Sequence, residues 1–156
     1  MTLQDLNIHF GLSVERLENT RNSAGCYTKN VVYISNSLEK FLGIQPSRPN
    51  NFGNFLFPNV MSLVGSNLES VCIAHEFGHA IEDNFRHDSD FKQVREICND
   101  LAPKCISVYS GSRHPLSTYS EAFAEVFALY IVKPELLHSM SEELFSSMND
   151  FYISFL

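Results

Sequence analysis

The chain has 156 residues, which fits one domain spanning 1–156 and is long enough to bury a core without metal or disulfide staples. Apolar residues at 44% against 19% charged exclude a disordered chain, and 18 acidic against 11 basic residues, net −7, argue against a nucleic-acid partner, which would need a basic face. No apolar run approaches the ~18 residues of a bilayer span, and the opening MTLQDLNIHFGLSVERLEN lacks the basic-then-apolar order of a secretory signal. The expected location is therefore the cytoplasm, or a compartment reached by delivery or secretion along a route not written in this chain.

In chain order, Leu3, Leu6, Leu12, Val14 and Leu17 recur at helix-like spacing and predict one or two short helices over 1–22. The β-branched and aromatic run from Cys26 to Ser35 predicts strand, with a hairpin turn at Lys29-Asn30. A short helix is expected around 37–42. Residues 45–59, with three of the six prolines, read as a loop whose Phe52, Phe55 and Phe57 tuck it down onto the body. Ser66-Asn67-Leu68-Glu69 matches a capping box and opens a helix over about 67–85. A second helix is expected over 90–101, stopping near Pro103, and a loop over 104–117 with a short strand near Val108. A third long helix spans 118–132 and is stopped by Pro134. One or two amphipathic helices fill 135–156, with an N-cap at Ser141.

The four cysteines, Cys26, Cys72, Cys98 and Cys105, form no CxxC pair, which excludes a zinc ribbon or a thioredoxin motif. Cys72 falls in an apolar helical stretch and packs as a small hydrophobe. Cys98 and Cys105 are close enough in sequence to bridge, but the thiols are expected to be reduced.

The helix over 67–85 carries His75-Glu76-Phe77-Gly78-His79, the HExxH pattern. Residues four apart share one helix face, so both imidazoles can converge on one tetrahedral zinc, while Glu76 projects beside the metal within reach of a water. Gly78 inside a helix costs about 1 kcal/mol against alanine, which points to close approach of another backbone beneath the site.

A site of this kind needs a third ligand from another element. The spacing that would supply a histidine after a glycine is absent, since Glu82 and Phe85 stand there. His87 lies off the metal-facing stripe, near 80° away by register, and beyond the expected helix end. The segment Ser120-Glu121-Ala122-Phe123-Ala124-Glu125-Val126-Phe127 instead places two carboxylates one turn apart on an otherwise apolar helix. Carboxylates beside Phe and Ala need charged partners, and a zinc ion and a zinc-bound imidazole are such partners. Glu121 as ligand, with Glu125 accepting the other N–H of His75 or His79, satisfies both. A rival reading remains: Thr118-Tyr119-Ser120-Glu121 matches a second capping box, which would leave Glu121 capping its helix and Glu125 on the metal.

The segments HEFGHAIED at 75–83 and EAFAEVF at 121–127 resemble the zinc metallopeptidase domain of anthrax lethal factor and its relatives, which include the small secreted Pro-Pro endopeptidases. The resemblance covers roughly residues 25–132, with only those two segments specific. It implies a zincin-like α+β fold, mostly helical, with a small sheet and an active-site helix. It implies zinc on His75, His79 and Glu121, Glu76 as general base, and Glu125 in support of a ligand. The segment Val31 to Ser35 would be the edge strand that pairs with substrate backbone. The family carries an oxyanion-stabilising tyrosine seven residues before the ligand glutamate, and here that position is His114. Ile106-Ser107-Val108-Tyr109 resembles the family segment that carries this tyrosine, so Tyr109, His114 or Tyr119 are the candidates for the role.

The resulting expectation is a monomeric zinc-dependent endopeptidase, toxin-like in its relatives, acting on a protein or peptide substrate. Two alternatives are a zinc-binding interaction module without catalysis and a metal-dependent hydrolase acting on a non-standard peptide linkage.

Overall fold

A computed structural model of the chain describes residues 11–17, 24–28, 30–38, 48–49, 55–113 and 121–155. The expected helical positions Leu3 and Leu6, most of the helix expected over 37–42, Phe52, His114 and Tyr119 lie outside the described residues. The architecture is α+β and mostly helical, with a small three-stranded sheet and a two-stranded ribbon among the described residues.

That sheet has the order β1-β3-β2, with β1 Ser13–Leu17, β2 Gly25–Thr28 and β3 Val31–Ser35. β1 runs parallel to β3 and β2 antiparallel to it. The hairpin between β2 and β3 turns where expected, with Asn30 at a φ of 66°, a left-handed conformation asparagine tolerates better than most residues. Two expectations are corrected here. Val14 and Leu17 lie in a strand rather than a helix, because Ser13–Leu17 finds a full register partner in Val31–Ser35. Periodicity over five residues does not decide between the two structures. And β3 is central rather than the edge: Val32 and Ile34 are fully buried against the helical layer, and both of its sides are paired. Among the described residues the outer strands are β1 and β2.

Arg48–Pro49 (β4) and Phe55–Leu56 (β5) form a two-stranded ribbon within the expected loop. Leu56 holds this segment to the body, while Phe57 is 48% exposed and is not tucked down. Strand alternation puts one of the two outside. A short helix not foreseen, α1 Val60–Val64, follows. Asn59 Oδ1 accepts from the Ser62 amide at 2.9 Å at its start, and Gly65 at a φ of 71° closes it.

α2 Leu68–Phe85 is the long helix expected around HExxH. Its capping box does not form. Asn67, at a φ of 50°, is the N-cap residue without a side-chain cap bond, and Glu69 is instead paired with Arg16 of β1. α3 Ser89–Cys105 starts on Asp88, whose carboxylate accepts from the Phe91 amide at 3.0 Å. It continues through Pro103, past its expected stop, because a proline in the last turn forfeits one amide where few ladder bonds remain. A 3₁₀ turn, Tyr109–Gly111, stands where a strand near Val108 was expected, with a single parallel bridge between Phe57 and Ser107. α4 Ala122–Val132 ends at Lys133, and Pro134 both stops it and opens α5 Pro134–Met140. α6 Glu142–Phe155 is capped by Ser141 Oγ, which accepts from the Leu144 amide at 3.2 Å.

The core lies between α2, α3, α4 and α6. Phe91, Phe123, Phe127 and Phe151 interlock there, with ring centroids 5.0 Å apart for Phe91–Phe123 and 6.0 Å for Phe123–Phe151. Edge-to-face contacts of this kind add about 0.5–1.5 kcal/mol each to area burial. All four cysteines are free, and Cys72 and Cys98 are buried in apolar surroundings. No helix among the described residues is long and apolar enough to cross a membrane.

Candidate metal centre

α2 and α4 cross beneath the HExxH turn at unusually short range. A Cβ built on Gly78 would stand 2.7 Å from Ala124 Cα. Glycine at this position is what lets the two backbones touch. The close crossing brings the start of α4 against the middle of α2, so that Glu121, the residue before the first turn of α4, reaches the histidines of α2.

There one carboxylate oxygen faces both rings. Glu121 Oε2 lies 3.1 Å from His75 Nε2 and 2.9 Å from His79 Nε2. The rings meet edge to face with centroids 4.9 Å apart. His75, His79 and Glu121 are all buried, and their ligand atoms lie within 4.8 Å of one another, a group that could hold a metal ion. Two atoms each about 2.0–2.1 Å from one tetrahedral ion stand roughly 3.3 Å apart, so a small opening of this cluster would accommodate one. Among the described residues the Glu121 side chain makes no cap hydrogen bond and points to the imidazoles, while Thr118, its partner in the capping box considered, lies outside them.

The other ring nitrogens are held as well. His75 Nδ1 lies 3.0 Å from Glu125 Oε1, the partner expected from the sequence, and His79 Nδ1 lies 3.0 Å from Glu82 Oε2. Glu82 was not foreseen, although its position three residues after His79 puts it on the same helix face. A carboxylate on each Nδ1 fixes the tautomer that leaves Nε2 for a metal. Glu125 is a junction beyond this: its Oε2 accepts from the Val60 amide at 2.7 Å and from Ser107 Oγ at 2.7 Å. Those partners, 65 and 18 residues away in sequence, left no local signal.

The charges respond to this crowding. Burial works against a charged His79, but hydrogen bonds to Glu121 and Glu82 outweigh it and raise its pKa to about 9. His75 is raised in the same way, burial being overcome by Glu121 and Glu125. Burial would raise Glu121, yet the two histidines hold it well below the usual carboxylate range. Glu76 is raised, chiefly by burial.

Glu76 opens onto a cleft of about 250 Å³ bounded by Ala24, Gly25 of β2, Val60 and Met61 of α1, Cys72, His75 and Tyr109. A Cβ on Gly25 would sit 3.1 Å from Glu76 Cγ and 2.8 Å from Cys72 Sγ, so glycine keeps the strand close over α2. Tyr109 also lines this cleft, 39% exposed, its ring 6.1 Å from that of His75. Burial and the negative charge of Glu121 both raise its hydroxyl pKa, so it stays protonated. His87 is exposed beyond the end of α2 and takes no part in the cluster.

No protein-family model, no curated protein and no solved structure matches this chain.

Proposed function

We propose that the protein is a zinc-dependent metalloendopeptidase of the zincin type, related to the lethal factor and Pro-Pro endopeptidase group that its two motifs resemble. The observation that carries the proposal is the convergence of His75 Nε2, His79 Nε2 and Glu121 Oε2, with Glu76 beside them on an open cleft. Two neutral nitrogens and one carboxylate are a donor set suited to zinc. A structural zinc clasp has no use for a carboxylate facing a cleft, which favours a catalytic site over an interaction module.

Zinc on those three atoms supplies Lewis acidity, lowering the pKa of water towards about 7 and polarising a carbonyl. The chain does the rest. Glu76, made more basic by burial, takes the water's proton during attack on the scissile carbonyl and returns it to the leaving amine. Glu125 and Glu82 hold the two imidazoles in register. The Tyr109 hydroxyl, kept protonated, donates to the oxygen that gains charge in the transition state. Donors of that kind contribute roughly 3–4 kcal/mol. The outer edge of β2, above Glu76, lines up the substrate backbone by strand addition.

Chelation tests the metal requirement. Treatment with a strong chelator should abolish cleavage of a fluorogenic peptide library, and stoichiometric zinc should restore it. Cleavage that survives complete metal removal would refute the proposal.

A further inference from the structure

Ser107 is fully buried, and its hydroxyl uses its whole bonding capacity. A hydroxyl has one proton and two lone pairs. The proton goes to Glu125 Oε2 at 2.7 Å. One lone pair accepts from the Ser110 amide at 3.1 Å. Ser107 Oγ and Ser110 Oγ lie 2.8 Å apart, and with the Ser107 proton already committed to Glu125, Ser110 is the donor of that bond.

The turn held by these bonds is the one that carries Tyr109. Its backbone is tied outward too. The Val108 amide donates to Phe57 O at 3.0 Å and the Tyr109 amide to Pro58 O at 2.9 Å. Ser112 O accepts from the Glu121 amide at 2.9 Å. The turn is thus attached to the Glu125 carboxylate through Ser107 and to the Glu121 backbone through Ser112, and the side chains of both glutamates face the imidazoles.

The geometry points to Ser107 as a positioning residue that couples the metal centre to the Tyr109 turn. Through Glu125 it sets the orientation of His75, and through Ser110 it sets the turn that presents the Tyr109 hydroxyl. Removing the hydroxyl would leave the buried Ser110 N–H and O–H without this acceptor, and would take from Glu125 Oε2 one of its two donors, leaving the Val60 amide alone to hold the carboxylate against His75 Nδ1. This inference rests on the proposed zinc site, and its consequences reach both the metal and the turn.

The test compares wild type, Ser107→Ala and Ser107→Thr by three measurements: zinc affinity by competition with a chromophoric chelator, amide exchange over residues 108–112 with and without zinc, and the thermal midpoint of the metal-free protein. Ser107→Ala should weaken zinc about tenfold, the lower end of what loss of a ligand's supporting partner costs. It should speed exchange of the Ser110 amide, and it should abolish the further protection that zinc confers on residues 108–112 in the wild type. Ser107→Thr, which keeps the hydroxyl, should restore zinc affinity to within about twofold of the wild type, a small fraction of that loss. Should Ser107→Ala not fold, Ser110→Ala replaces it and should shift exchange and zinc affinity in the same directions by smaller amounts. A lower midpoint with unchanged zinc affinity would reduce Ser107 to a structural role and overturn the coupling. Failure of the wild type to bind zinc would overturn the function proposed above and the coupling with it, whereas zinc binding indifferent to residue 107 would overturn the coupling alone.

Discussion

At the residue scale, His79 shows how much of this site is electrostatic. Its ring faces Glu82 on its own helix and Glu121 from the start of α4, with His75 and Glu76 alongside. In the metal-free protein its pKa stands at about 9 against an ordinary 6.5, because the two carboxylates outweigh burial. A histidine raised in the folded state stabilises fully below its unfolded value, and the contribution is lost as pH rises through the folded value. The free energy of unfolding in chelator should therefore fall as pH is raised from 6.5 to above 9. His75 acts in the same direction, while Glu76 and Glu82, both raised mainly by burial, already withdraw stability as pH rises above 4.5. Glu121, lowered by the histidines, acts at the acid end, where its contribution disappears as pH falls. Urea titrations across that range check the alkaline fall; a profile that is flat or rises there would mean that the imidazoles are not clamped between carboxylates. The pairing of His75 and His79 was legible in the sequence because four residues make one face of a helix. The Glu82 partner follows from the same rule, three residues past His79 on one helix face. Ser107 and the Val60 amide were not legible, since a hydrogen bond across 18 or 65 residues has no local pattern.

At the scale of elements, the close crossing of α2 and α4 is what assembles the ligands. A methyl group on residue 78 would meet Ala124 Cα at 2.7 Å, backbone that cannot turn aside. Alanine ordinarily favours a helix over glycine by about 1 kcal/mol, but overpacking costs about 1–3 kcal/mol. Gly78→Ala should therefore be net destabilising by roughly 1–2 kcal/mol and should also weaken zinc binding, as Glu121 is pushed from the histidines. Chemical denaturation and chelator competition on the same variant check both; a more stable variant with intact zinc affinity would refute the crossing as the device that builds the site. The helix carrying HExxH, the apolar helix with its two carboxylates and the Ser141 cap were readable from periodicity and cap chemistry. The sheet was less so. Ser13–Leu17 is too short for its period to distinguish strand from helix, and strand order depends on pairing that no single strand encodes. One sign was present: Val31-Val32-Tyr33-Ile34 is apolar throughout, as a central strand is, whereas β2 offers Gly25, Cys26 and Thr28, residues an edge tolerates.

At the scale of the whole molecule, the aromatic core of α2, α3, α4 and α6 supports a cluster of six buried ionisable groups, His75, Glu76, His79, Glu82, Glu121 and Glu125. Such a cluster is stable only while its charges compensate. A divalent cation that binds the folded chain alone stabilises it by mass action, by about 4 kcal/mol at a thousandfold excess over its dissociation constant. Zinc should thus raise the thermal midpoint and chelator should lower it, with the shift removed in Glu121→Ala. An equal zinc shift in that variant would place the ion elsewhere.

The most direct measurement takes wild type and Glu76→Gln, determines zinc content on both samples, and profiles each against a peptide library. Both proteins should carry about one equivalent of zinc, as expected of a three-ligand site. Wild type should cleave and Glu76→Gln should not, since the amide cannot accept the water's proton. Cleavage by Glu76→Gln at the wild-type rate, or a zinc-loaded wild type that cleaves no peptide, would contradict the account.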